Sequence, residues 1–300
     1  MIRKLFWILL SLMIVVGSCD SPAKEEGDEG EDITNSEEPL VITDGQIEKI
    51  IQSFSSPVEM AALIKDAGAQ FSKEILMPTN NADAYDSNFK RAVGLGMLGV
   101  DLGYINIYQK TSLVVNHITI SKKLADEMSV GQFLEFETIK NLAMSNENVD
   151  SLIFVSTNSF NRMDDYLREK GRNHLSTLII TGVWIEGLYL ATQVVKQSPN
   201  PRIAERIGEQ KIILSDIILL LKNYESDKNF AALISDLEEI KDEFKPVRIT
   251  YEIGEPESVE ENGKLRIIQK STSVVDITAE QLKRIIAKTE QIRNKLIGLT

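Results

Sequence analysis

Two stretches of this chain place an acidic residue three positions before a tyrosine inside otherwise apolar surroundings: Asp101 before Tyr104, and Glu186 before Tyr189. A glutamine follows one or two turns later in each, Gln109 and Gln193. Residues three apart on a helix share a face, so each acid and its tyrosine point the same way. A carboxyl among apolar residues must be hydrogen-bonded, paired or protonated, because burying it unpartnered is strongly unfavourable. Two readings follow. Either a neighbouring tyrosine, arginine or backbone group satisfies each acid and the pair fixes helix packing, or Asp101, Tyr104, Glu186 and Tyr189, with Trp184 nearby, line a ligand pocket between two helices.

Other reactive arrangements are incomplete. Gly94, Gly96 and Gly99 have the spacing of a dinucleotide-binding loop, but that loop needs a buried strand before it and a helix start after it. Here helical periodicity runs straight through. Gly99 and Gly103 then read as a small-residue face that lets another helix approach closely. The two histidines, His117 and His174, lie far apart without metal-binding spacing. Asp101 and Glu186 could hold a divalent cation, but without histidines they fall short of a di-iron set. Ser87 and Lys90 match Ser-x-x-Lys without its companion motifs, and there is no Gly-x-Ser-x-Gly elbow. No catalytic residue, metal site or cofactor is therefore expected, and a carboxylate-based hydrolase is the enzymatic alternative.

The elements that would position these acids are mainly helical. Residues 175–195 are apolar nearly all round and carry a single charge, Glu186. A helix with no polar face must be buried by its neighbours. Its length suits a bilayer, yet an acid near the middle of a span costs about 2.5–3.5 kcal/mol on insertion scales. Arg168, Lys170, Arg172 and Lys196 in its flanks also fit a soluble core helix. Start and stop signals predict helices over about 47–54, 60–64, 86–110, 111–128, 130–145, 148–170, 173–197, 200–224 and 228–244, and a last one opened by Thr278 with Gln281 in a capping box. Between 247 and 277 the pattern alternates at period two around Gly254 and Gly263, which predicts a β-hairpin or a loop with two short strands. The fold expected is mainly α: a multi-helix bundle around a central apolar helix, occupying 39–300, with a small hairpin insertion.

The N-terminus places the chain. Arg3 and Lys4 precede an apolar run from Leu5 to Val16, and Val16, Gly17, Ser18 and Cys19 follow. A basic head, a short apolar region and small residues before a cut site make a secretory signal over 1–18. The last four residues resemble the lipobox of bacterial lipoproteins, which implies that Cys19 becomes the first mature residue and carries the lipid. Cys19 is the single cysteine, so no internal disulfide can form and lipidation accounts for the odd thiol. Residues 20–38 hold nine acidic side chains against Lys24 alone, the composition of a disordered, self-repelling tether. Acidic residues after the cysteine resemble the surface-export signals of Bacteroidetes lipoproteins, whereas Asp20 directly after it resembles the inner-membrane retention signal of enterobacteria. An outer-membrane anchor is expected, with the leaflet open.

Charge narrows the partners. The chain carries a net −12, and the signal and tether leave about −6 on residues 39–300. No basic stripe of the kind phosphate contacts require is present in the sequence, so nucleic acid is not an expected partner. In layout the chain resembles the helical, lipid-anchored proteins of unknown function common in Bacteroidetes. The resemblance implies a membrane partner through the Cys19 lipid and a non-enzymatic binding or scaffold module. A small-molecule receptor with its pocket between helices 86–110 and 173–197, or a structural partner of an outer-membrane complex, are the alternatives.

Overall fold

A computed structural model describes residues 64–65, 68–80, 84–145, 149–261 and 264–298. The signal, Cys19, the tether and nearly all of the helices expected at 47–54 and 60–64 lie outside those residues. Within them the chain forms eight α-helices and one antiparallel hairpin: α1 Asn88–Ile107, α2 Thr111–Glu127, α3 Phe136–Ser145, α4 Val149–Glu169, α5 Asn173–Gln197, α6 Pro201–Lys222, α7 Lys228–Phe244, β1 Arg248–Glu261, β2 Lys264–Asp276 and α8 Ala279–Leu296. The mainly α fold is the one the sequence predicts.

The caps sit where the residue types require them. The Asn200 side chain accepts from the Arg202 and Ile203 N–H groups ahead of a first-turn proline, and Asp227 does the same for Asn229 and Phe230. Thr278 and Gln281 close a reciprocal capping box. Gly171, at φ 65°, ends α4; the Arg172 N–H then reaches back to the Leu167 carbonyl.

The centre of the bundle is α5, where every residue from Leu175 to Val195 except Ile180 and Val183 is buried. Its threonine hydroxyls turn back onto its own backbone: Thr177 to Asn173, Thr181 to Thr177 and Thr192 to Tyr189. Among the described helices α5 alone is long and apolar enough to cross a membrane, but here it packs against α1, α4, α6 and α8. The closest approach is to α1. A Cβ added to Gly96 would collide with the Ile179 carbonyl, and one added to Gly182 with the Val93 carbonyl. The close helix approach expected from small residues therefore exists, but it is made by Gly96 against Ile179 and by Gly182 against Val93. Gly99 instead faces the Phe160 ring of α4.

Two segments differ from their sequence reading. The single helix expected over 130–145 is interrupted: Gly131–Phe133 makes one 3-10 turn, Leu134 is extended, and α3 starts at Phe136. Ser129 adopts φ 59° at the end of α2, and the break lets Leu134 drop into the core. The hairpin strands are long, and Gly254 does not end the first of them. It falls within a register shift between Ile253 and Pro256, a β-bulge inside a continuous strand. The base of the hairpin rests on α6. Gly208 leaves room for the Val275 side chain, Lys211 donates to the Lys245 and Val247 carbonyls, and Ser273 hydrogen-bonds Glu209.

The backbone contact at Gly182 predicts an asymmetric pair of substitutions. Gly182→Ala forces α1 and α5 apart and should lower stability by about 1–3 kcal/mol or more. Gly187→Ala on the same helix meets no atom within 4 Å and should be neutral or stabilising by up to about 1 kcal/mol through helix propensity. Urea unfolding midpoints of the two variants check both.

Candidate functional site

The two acids singled out by sequence meet inside the bundle. Glu186 on α5 is fully buried and forms a two-point ion pair with Arg293 of α8: Nε to Oε2 at 2.9 Å and Nη2 to Oε1 at 2.7 Å. Arg293 is itself buried, lies with its guanidinium 4.3 Å over the Tyr189 ring, and makes a longer contact to the Ile75 carbonyl. Parallel N–H···O bonds between guanidinium and carboxylate are the strongest form of such a pair. Asp101 on α1 is equally buried. Its Oδ2 accepts the Met77 N–H at 2.7 Å, and its carboxyl acts on both Glu186 and Arg293. His117 of α2 stands beside it, Nε2 3.7 Å from Oδ2. A carbonyl only accepts, so the His117 Nδ1 at 3.0 Å from the Leu113 oxygen carries a hydrogen and donates it.

Two carboxyls around one guanidinium leave the interior with an excess negative charge if both ionise. Burial pushes the Glu186 carboxyl up to about 7; Arg293 opposes this, and the Asp101 charge and hydrogen bond reinforce it. Burial alone would lower Arg293, but Glu186 and Asp101 together outweigh it and hold the guanidinium firmly charged. Asp101 Oδ1 is buried without a donor among the described residues. Tyr85, pushed up to about 12 by burial and then by Glu186, stays protonated beside them.

A segment before α1 seals the cluster. Ile75, Leu76 and Met77 are buried, the Ser72 N–H donates to the Tyr104 hydroxyl at 3.1 Å, and the Tyr108 hydroxyl donates to the Ala69 carbonyl at 2.6 Å. Tyr104 stacks on Phe71, ring centres 5.2 Å apart. Of the five residues proposed for a pocket, the structure brings together Asp101, Glu186 and Tyr189, sets Tyr104 one turn along under Phe71, and turns Trp184 to α6, where its Nε1 donates to Gln210. Sequence reading missed Arg293 and this segment. The signal for Arg293 was present: Ile285, Thr289, Ile292 and Arg293 form the buried stripe of α8, and a cation on an apolar stripe calls for a buried acid.

Open space lies on the other side of α1. A cavity of about 70 Å³ runs between α1, α2, α3 and α4. Gly99 and Gly103 expose backbone to it, Ile118, Ile139 and Phe160 wall it, and Ser121, Ser156 and Thr157 are its polar groups. Phe160 also walls a second cavity of about 60 Å³ between α4 and α5, beside Ser176 and Ile179. Neither of these cavities is lined by the five residues above. Among the described residues no three His, Cys, Asp or Glu side chains gather as metal ligands.

The acid cluster sets a pH dependence. A carboxyl raised on folding stabilises fully below its ordinary 4.5 and loses that contribution as pH rises through about 7. His174, held below 6.5 by burial and then by Arg172, has the opposite sign, but its contribution is complete above 6.5. Between pH 6.5 and 8.5 the protein should therefore lose about 1 kcal/mol of stability. Asp101→Asn removes the second charge and should flatten the profile, as read from urea midpoints across that window.

No protein-family model matches the chain, and no curated protein or solved structure is significantly similar to it.

Proposed function

We propose that this chain is a non-enzymatic binding module held at the cell envelope by a lipid on Cys19 and presented by the acidic tether at 20–38. The observation that carries the binding half is the apolar cavity between α1, α2, α3 and α4, because concave apolar space with a few polar groups is the usual form of a ligand site. The acids that could serve catalysis are engaged elsewhere, Glu186 by Arg293 and Asp101 by the Met77 N–H. A buried two-point pair favours a packing role over acid–base work on a substrate.

The small-molecule receptor is the second reading, and the position of the cavity favours it in a modified form. The α1–α5 interface is closed by backbone contact at Gly96 and Gly182, whereas the opposite face of α1 is open. A structural role in an outer-membrane complex is distinguished by experiment: capture of one specific envelope protein that depends on the lipidated form.

Two measurements test the proposal. Labelled palmitate should enter the wild-type protein and not Cys19→Ala, and labelling of the variant would remove the anchor. The purified chain should leave a panel of glycosides, esters and peptides intact; hydrolysis abolished by Glu186→Gln would make the protein an enzyme.

A further inference from the structure

The acid centre is closed on one side by residues 68–77, a segment without regular helix or strand. Among the described residues, four hydrogen bonds tie it to the helices beneath. Two of them end on charged groups: the Met77 N–H donates to Asp101 at 2.7 Å, and Arg293 donates to the Ile75 carbonyl at 3.5 Å. The other two join the Ser72 N–H to Tyr104 and the Ala69 carbonyl to Tyr108. Within the segment the backbone bonds are local, as from the Leu76 N–H to the Lys73 carbonyl. A stretch held this way opens at a lower free energy than the packed helices under it. Half of what holds it depends on groups whose charge pH can change.

The groups that face Asp101 and Glu186 set the sign. Arg293 from α8 brings a positive charge to both. His117 from α2 commits its Nδ1–H to the Leu113 carbonyl, so while neutral it turns a bare Nε2 toward Asp101 at 3.7 Å; protonated, it donates there. Tyr85 ahead of α1, Tyr104 on α1 and Tyr189 on α5 are raised by burial and stay neutral. Glu290 on α8, which acts on Tyr189, is paired with Lys196 at the surface. With a proton on one carboxyl or on His117, the charges in the centre balance. Without it, two carboxylates share one guanidinium, and the excess charge is unfavourable away from water. Burial of Glu186, which holds its carboxyl up to about 7, places that change near neutrality.

We infer that residues 68–77 are a proton-operated strap, closed over Asp101, Glu186 and Arg293 while the centre keeps its proton and lifted as the proton leaves, when water reaches the two carboxylates. Lifting uncovers Ile75, Leu76 and Met77, so the open form is a minor species whose population the proton sets. A change of charge at a buried cluster thus biases a segment with two positions. The device is independent of the apolar cavity and of the binding-module reading.

Amide hydrogen exchange of the purified full chain, read by mass spectrometry with each rate divided by that of the unprotected peptide at the same pH, tests this. A carboxyl at about 7 in the closed form and at its ordinary 4.5 in the open one predicts that protection of 68–77 falls roughly tenfold between pH 6 and 8.5. The opening should also be smaller than unfolding. Protection of the strap should lie below that of α5 and stay unchanged in about 1 M urea, which lowers protection that depends on global unfolding. Asp101→Asn keeps an oxygen for the Met77 N–H and removes one charge, and should hold strap protection level across the same window. Glu186→Gln removes the other charge and decides the matter if the first variant does not fold. Protection that is flat or rises with pH in the wild type, an equally steep fall in the variant, or a strap that exchanges only together with α5 would each overturn the inference.

Discussion

Glu186 and Arg293 are 107 residues apart in the chain and form a two-point ion pair with almost no exposure on either side. That pair fixes the arrangement of the interior. Two charges removed from water gain little unless the geometry is good and the remaining polar atoms are met, and breaking such a pair leaves an unpaired buried charge at a cost of about 3–5 kcal/mol. Here the remaining demands are met from around the bundle. Tyr189 lies under the guanidinium, Asp101 adds a second carboxyl from α1, and the Met77 N–H ties that carboxyl to the covering segment. A single polar centre thus joins α1, α5, α8 and the residues that precede α1. The last helix is held in register by this centre together with surface pairs such as Arg284 with Glu243, Lys288 with Glu239 and Lys295 with Asp236.

The two faces of α1 differ for a simple reason. Toward α5, Gly96 lies against the Ile179 carbonyl and Gly182 against the Val93 carbonyl, so the two backbones approach too closely for a side chain at either position. Toward α4, Gly99 and Gly103 face side chains, and Phe160 cannot fill both positions. The same residue type that closes one side leaves space on the other. Among the described residues the charged groups of the acid cluster lie on the sealed side and the lining of the cavity carries none, which separates the packing role of the acids from the binding role proposed for the cavity.

Much of this was legible in the residues. The apolar run around Glu186, with that acid near its middle and charged flanks, reads as a buried helix, and the caps at Asn200, Asp227 and Thr278 follow from side chains whose oxygens reach the first free N–H groups. Asp101 and Glu186 announced themselves as acids in apolar surroundings. What periodicity does not carry is which long-range group answers them: Arg293 is visible only once its place on the buried stripe of α8 is noticed, and the segment around Met77 has no periodic signal. Trp184 stands two residues before Glu186, yet residues two apart on a helix face different ways, and it turns to Gln210. The break at Leu134 and the bulge after Ile253 are set by tertiary packing and strand register, and neither leaves a local mark beyond Gly254.

A double-mutant cycle on the central pair tests this most directly. Stabilities of the wild type, Glu186→Gln, Arg293→Met and the double variant would be measured at pH 8, where the carboxyl is ionised. A pair that organises the interior predicts a coupling energy of roughly 2–3 kcal/mol, with the double variant far less damaged than the sum of the singles. Additive effects, with coupling below about 0.5 kcal/mol, would mean that the two residues are incidental neighbours and that the bundle is held together without them.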